Sequence, residues 1–235
     1  MDWQHGLGND PDVYSQALRF LEKASPYNYA YQWSWLGIPI IKLPEDIVVI
    51  QEFICTFKPQ VIIEVGVARG GGIKLYSSMQ KLLGIEVRVL GIDLKIFPHT
   101  FSALQSEIEN GVKLIEADSI GDKAVKGVKE FIQDKTRVFM ILDGDHSHNQ
   151  VLQELQIYGD LLPKGSYMVV ADTITEDLDL SEKRRPWGKG DNPKTALTAF
   201  LSQNSEWDID EYWGRRATIS ESRDGWILKT GRKQI

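Results

Sequence analysis

The chain has 235 residues, 42% of them hydrophobic, and a net charge of −6. That is enough apolar material for one well-filled core, and the acidic balance argues against nucleic acid or another polyanion as the main partner. No run of about eighteen apolar residues exists to span a membrane, and the opening MDWQHGLGNDPDVYSQ lacks the basic and apolar regions of an export signal, so a cytoplasmic protein is expected. The single cysteine, Cys55, excludes an internal disulfide framework and a cysteine-based zinc site, and its apolar surroundings make core packing its expected role. Of seven tryptophans, Trp3, Trp33, Trp35, Trp187 and Trp213 fall outside the regular strands, a pattern that suits ligand walls or interfaces as well as packing.

In chain order, NDPDVYSQALRFLEKAS begins with Asp10 before Pro11, a helix start, and carries Val13, Ala17, Phe20 and Leu21 on one face. PYNYAYQWSWLGIPIIKLP is aromatic and rich in turns. A second helix, EDIVVIQEFICTF, stops at Lys58-Pro59, where proline disfavours continuation. Residues 1–60 therefore read as a helical and aromatic arm laid over a core domain of residues 61–235. From residue 61 the pattern changes to short β-branched runs, VIIEV (61–65), VRVLGID (87–93), VKLIEAD (112–118), RVFMILD (137–143) and SYMVVAD (166–172), separated by helical text. Near-continuous apolar strands alternating with helices predict an α/β fold with a parallel sheet covered on both faces. PKTALTAFLSQ predicts a further helix, and WDIDEYW and GWILKT an antiparallel closing pair.

The acids carry the functional signal. Each core run contains or ends in a carboxylate near its C-terminal end: Glu64, Asp93, Asp118, Asp143 and Asp172. Ligands of open α/β sheets bind outside that end. Five acids there would repel one another, so something cationic is expected to offset them. Between the first strand and its helix, EVGVARGGG permits close backbone approach to a ligand. A dinucleotide fingerprint can be forced on it as Gly66-x-Ala68-x-x-Gly71, but Ala68 then stands where a glycine admits the pyrophosphate. Glu64 is poorly placed for a diphosphate and well placed for an amino acid's ammonium group. Asp93 could hold ribose hydroxyls, and Asp118, in EADS, would edge an adenine pocket.

These residues resemble the class I S-adenosylmethionine-dependent methyltransferases, which place an acid before a glycine loop, an acid at the end of strand two and an Asp-Ser or similar pair after strand three. More narrowly, YQWSWLGIPIIKLPED, PQVIIEVGVARGGG, LGIDL, ADS, ILDGDHSH, VLQELQIYGDLLPKGSYMVVADT, NPKTALTAFL and GWILK together resemble the cephalosporin hydroxylase family, related to rhamnosyl and macrolide-sugar O-methyltransferases. The resemblance covers about four-fifths of the chain and implies methyl transfer rather than oxygen chemistry. It implies a Rossmann-like, mostly parallel seven-stranded sheet. It also implies a donor site at Glu64, Gly66, Ala68, Gly70, Asp93, Asp118, Ser119 and Asp143, and a tendency to form homo-oligomers.

A sugar or phenol hydroxyl is a poor nucleophile toward a sulfonium methyl at neutral pH. A divalent cation acting as a Lewis acid would lower the hydroxyl's pKa and fix its oxygen in line. Carboxylates suit Mg2+, and Asp143 and Asp172, ending adjacent strands, could share one ion. Related enzymes, by resemblance, add a neighbour of the second acid. The family's usual Glu-Asp pair reads Ala171-Asp172 here, so either Thr173, Asp145 or water completes the shell or metal binding is weakened. By the same resemblance His146 is the general base, ahead of His148. A neutral imidazole suits that task. Asp145 remains a ligand, a partner orienting a histidine or a turn former.

The aromatic arm and the loop TITEDLDLSEKRRPWGKGDNP are the candidate substrate-recognition inserts, the loop either a mobile lid or a surface loop. The expected partner is a small-molecule hydroxyl substrate. Two other functions stay open: a nicotinamide-dependent oxidoreductase, which gives Asp143 and Asp172 no task, and a cofactor-binding accessory component, kept open by Ala171.

Overall fold

A computed structural model describes residues 7–179 and 185–231; Trp3 and residues 180–184 of the long loop lie outside the described residues. The first helix, α1 (Pro11–Ala24), is capped by Asp10, whose carboxylate accepts the N–H groups of Asp12 and Val13. Phe20, expected on its inner face, is 42% exposed and meets Tyr29 edge-on. The aromatic stretch that follows holds a small antiparallel hairpin, β1 (Trp33–Trp35) with β2 (Ile38–Ile40), turned by Leu36 and Gly37 in left-handed conformations. Helix α2 (Pro44–Phe57) ends at Lys58, also left-handed, immediately before Pro59.

The main sheet contains β3 (Val61–Val65), β4 (Arg88–Asp93), β5 (Lys113–Glu116), β6 (Val138–Leu142), β7 (Tyr167–Val170), β8 (Trp207–Ile209) and β9 (Trp226–Lys229). Between them lie α3 (Gly71–Leu83), α4 (Pro98–Ala103), α5 (Gln105–Glu109), α6 (Asp122–Ile132), α7 (His148–Leu161), α8 (Pro193–Gln203) and the short α9 (Glu211–Gly214). The strand order is β5-β4-β3-β6-β7-β9-β8; the first five are parallel, and β9 and β8 close the sheet antiparallel. The crossover direction reverses between β3 and β6, the crevice where ligands of such sheets collect.

Two cores result. On one face Val128, Phe131, Leu155, Tyr158, Ala196 and Phe200, from α6, α7 and α8, cover the sheet. On the other, Phe53 of α2 lies within 4.6–5.2 Å of the rings of Phe139, Tyr167, Trp226 and Trp213. Ile38, Ile40, Val49, Ile50 and Ile54 join this second cluster, so residues before 61 supply much of one face of the core. Lys42 and Leu43, between hairpin and helix, are thereby drawn beneath the rim of the sheet, and both are buried.

Candidate functional site

Loops following β3, β6 and β7 meet at the sheet's C-terminal rim. Asp143 donates its N–H to the Val65 carbonyl at 2.9 Å, and a side chain at Gly66 would collide with the Asp143 carbonyl. Glycine is therefore required at Gly66 by close approach as well as by its positive φ. Gly72, in the first turn of α3, faces the Glu64 carboxylate, which a Cβ there would displace. Glu64 is 2% exposed; it accepts the Tyr76 hydroxyl at 2.7 Å, while its second oxygen, Oε2, has no partner. Burial pushes its pKa up to about 7, opposed by Lys42 and the Tyr76 hydrogen bond.

Asp143, immediately after β6, and Asp172, two residues after β7, converge with His146: one ligand atom from each lies within 4.8 Å of the others. His146 Nδ1 is 3.1 Å from Asp172 Oδ2, and its ring packs 5.1 Å from Trp187. Thr173 is corrected as a metal ligand. Its hydroxyl is fully buried and donates to the Arg223 carbonyl at 2.6 Å, because the turn after Asp172 directs it toward the turn segment 220–225 that leads into β9 rather than toward the rim. His146 is the third side chain of this cluster, beside the two aspartates. Asp145 accepts the Ser147 N–H, a turn-forming role, and His148 pairs with Thr195 at the start of α7.

The cation that offsets these acids includes one from the chain itself. Lys42 reaches from the arm to Asp143 Oδ2 at 2.6 Å and to Glu221 Oε1 at 3.4 Å. Burial opposes its charge, but Asp143 and Glu221 outweigh this and hold its pKa well above the ordinary value. Glu221 is driven in the neutral direction by burial, and Asp46, which accepts from Ser220 Oγ and the Glu221 N–H, is raised by burial to about 6. The sequence reading missed Lys42; its only signal was an isolated charge in the apolar run IPIIKLP.

Lys42, Glu64, Gly66, Ala68, Asp143, His146 and Asp172 line one cavity of about 220 Å³. Gly70, Asp93, Asp118 and Ser119 are not among its walls. Gly70 instead takes a positive φ at the start of α3. Asp93 uses its two oxygens on the N–H groups of Ala68 and Lys95, at 3.0 and 3.1 Å. Asp118 accepts from Ile120 and Gln150, and Ser119 donates to the buried Glu154 at 2.5 Å. A second, wider cavity of about 620 Å³ opens beside the first, sharing Tyr31, Asp172, Arg185 and Glu221 and walled further by Leu21, Tyr29, Ile174 and Trp187. Among the described residues no helix is long and apolar enough to cross a membrane.

The seven-stranded sheet, with β8 and β9 closing five parallel strands, is the fold of the class I methyltransferases. A CmcI apo structure superposes with a TM-score of 0.64 at 19% identity, covering 86% of this chain and 78% of that one, and a CmcI complex with Mg and SAM does so with 0.59 at 21%, covering 85% and 77%. The model of the rhamnosyl O-methyltransferase/CmcI family matches residues 27–230, and the chain belongs to that family. The rhamnosyl O-methyltransferase of Mycobacterium leprae (strain TN) is 29% identical over 141 residues, which is 60% of this chain and 60% of that relative. The match thus spans about three-fifths of that relative's length.

Proposed function

We propose that the chain is an S-adenosylmethionine-dependent O-methyltransferase that acts on a hydroxyl of a small secondary metabolite or sugar with the help of Mg2+. The observation that carries this reading is the cavity whose walls bring Glu64, with its unpartnered Oε2, together with Asp143, His146 and Asp172. The residues fit both groups. Glu64, buried and short of one hydrogen bond, is suited to the donor's ammonium, and Gly66 and Gly72 let the Asp143 backbone and the Glu64 carboxylate pack closely into this wall. Two carboxylates, Asp143 and Asp172, within reach of one another suit a hard divalent ion, and His146 beside them stays free to act as a base. When bound, the donor supplies an electrophilic methyl and the ion Lewis acidity toward the acceptor hydroxyl.

The chain's own residues supply the rest. Asp172 orients the His146 ring through Nδ1, which makes Nε2 the nitrogen to accept the hydroxyl proton. Trp187, packed against that ring, shields it from water. The wider cavity is of a volume suited to a small molecule, and its aromatic walls support an acceptor with an apolar or ring-shaped body. A candidate base, His146, beside Asp143 and Asp172 favours catalysis over the accessory reading. Ala68, left-handed at φ 47°, and Glu64 at the cavity wall disfavour a dinucleotide.

Calorimetric titration with S-adenosylmethionine and S-adenosylhomocysteine tests the reading: both bind if it holds, and absence of binding by both removes it.

A further inference from the structure

Methyl transfer through Glu64, Asp143, His146 and Asp172 leaves Lys42 without a task. Yet Lys42 is 2% exposed, and an ammonium withdrawn from water is strongly penalised unless paired. Its position is fixed from two sides, by Asp143 Oδ2 at 2.6 Å and Glu221 Oε1 at 3.4 Å. Glu221 is itself held, because its N–H donates to Asp46 Oδ2 at 2.8 Å at the start of α2. Lys42 and Leu43 run directly into that helix, so the lysine cannot swing out without disturbing a buried segment. Its ammonium thus sits on one oxygen of a carboxylate that also belongs to the cluster with His146 and Asp172.

We propose that Lys42 is the resident counter-cation of the site and a positioning residue for Asp143: it holds one carboxylate oxygen, presents the other to the divalent ion, and by its own charge lowers the affinity for that ion. The inference rests on the reading of Asp143 and Asp172 as the ion's ligands. Two consequences follow. Before any ligand arrives, the acids around the cavity already have a partner and need not trap an ion to stay folded. Once an ion is bound, the lysine's positive charge repels it across a poorly solvated gap, which keeps the site from holding the ion irreversibly.

The test is Mn2+ titration of the full chain, by calorimetry and by thermal melting, for the wild type, Lys42→Met, Lys42→Arg and the double variant Lys42→Met with Glu221→Gln. Lys42→Met is expected to bind Mn2+ at least about ten-fold more tightly than the wild type, since the repelling charge is gone. It should melt at lower temperature without the ion, and gain more in melting temperature than the wild type when Mn2+ is added, because the ion replaces the lost partner. Lys42→Arg, which keeps the charge, should stay within about three-fold of the wild-type affinity. The double variant removes a carboxylate that Lys42→Met leaves unpaired, and carries the same expectation if the single variant does not fold.

A lysine with a merely structural role would lower the melting temperature and leave Mn2+ affinity unchanged. Wild-type binding that is not tightened in the methionine variants would overturn the proposal while leaving the ion site standing. Tight binding that appears only in the methionine variants would support it. Absence of Mn2+ binding in every variant would remove the ion site and the proposal with it.

Discussion

Five strand-end acids look alike in sequence, but the structure divides them into two sets. Glu64, Asp143 and Asp172 share a cavity with Lys42 and His146; Asp93 and Asp118 lie outside its walls and bond to backbone N–H groups at the ends of β4 and β5. The first set is partly desolvated and its charge is matched by a buried ammonium and, on the proposed function, by incoming cations. The second set is already served by backbone amides, those of Lys95 and Ile120 close in sequence and that of Ala68 across the sheet's rim. The same residue type at equivalent places therefore differs in what it has left to offer a ligand.

The largest expected effect separates the sets most sharply. Asp143→Ala should reduce divalent-dependent turnover by more than the roughly 10–100-fold typical of losing an outer partner of a metal ligand, with donor affinity largely kept. Steady-state assays with added Mg2+, alongside calorimetry with S-adenosylhomocysteine, would check this. Glu64→Gln should weaken donor binding by about 10–100-fold, the scale of one hydrogen bond to a charged group. Because burial holds the free Glu64 near a pKa of about 7, wild-type affinity for the donor should rise as pH increases through that value, and this rise should be absent in the variant.

A smaller effect concerns stability. Glu154, buried beside Ser119, has its pKa raised to about 7 by burial. A carboxylate whose folded pKa exceeds its unfolded one contributes stability that is full below about 4.5 and lost as pH rises through about 7. Glu154→Gln should remove that decline, worth up to about 3 kcal/mol, and denaturant unfolding at several pH values would measure it. Least of all, Asp118→Asn should change donor affinity by less than about ten-fold, since the turn it forms is local. A loss as large as that of Glu64→Gln would erase the distinction between the two sets.

How far the sequence could be read follows the same division between local and distant contacts. The five parallel strands were legible because they are continuous apolar runs, although β5 is trimmed to Lys113–Glu116 and Asp118 falls beyond it. The closing pair and the capped start of α1 were legible for equally local reasons. The β1–β2 hairpin was not, since its alternation is only three residues per strand. Thr173 was misassigned because neighbours in sequence point to opposite sides of the turn after β7. Lys42 was missed because its partners lie 101 and 179 residues away. Nothing local in IPIIKLP marks such a lysine as paired.

The central claim is that the cavity beneath the β3 and β6 loops holds a methyl donor beside a divalent ion. A crystal structure grown with S-adenosylhomocysteine and Mn2+ tests it most directly. The ligand's ammonium is expected on Glu64 and an anomalous peak between Asp143 and Asp172. A ligand bound elsewhere, or a cavity left empty of both at saturating concentrations, would contradict it.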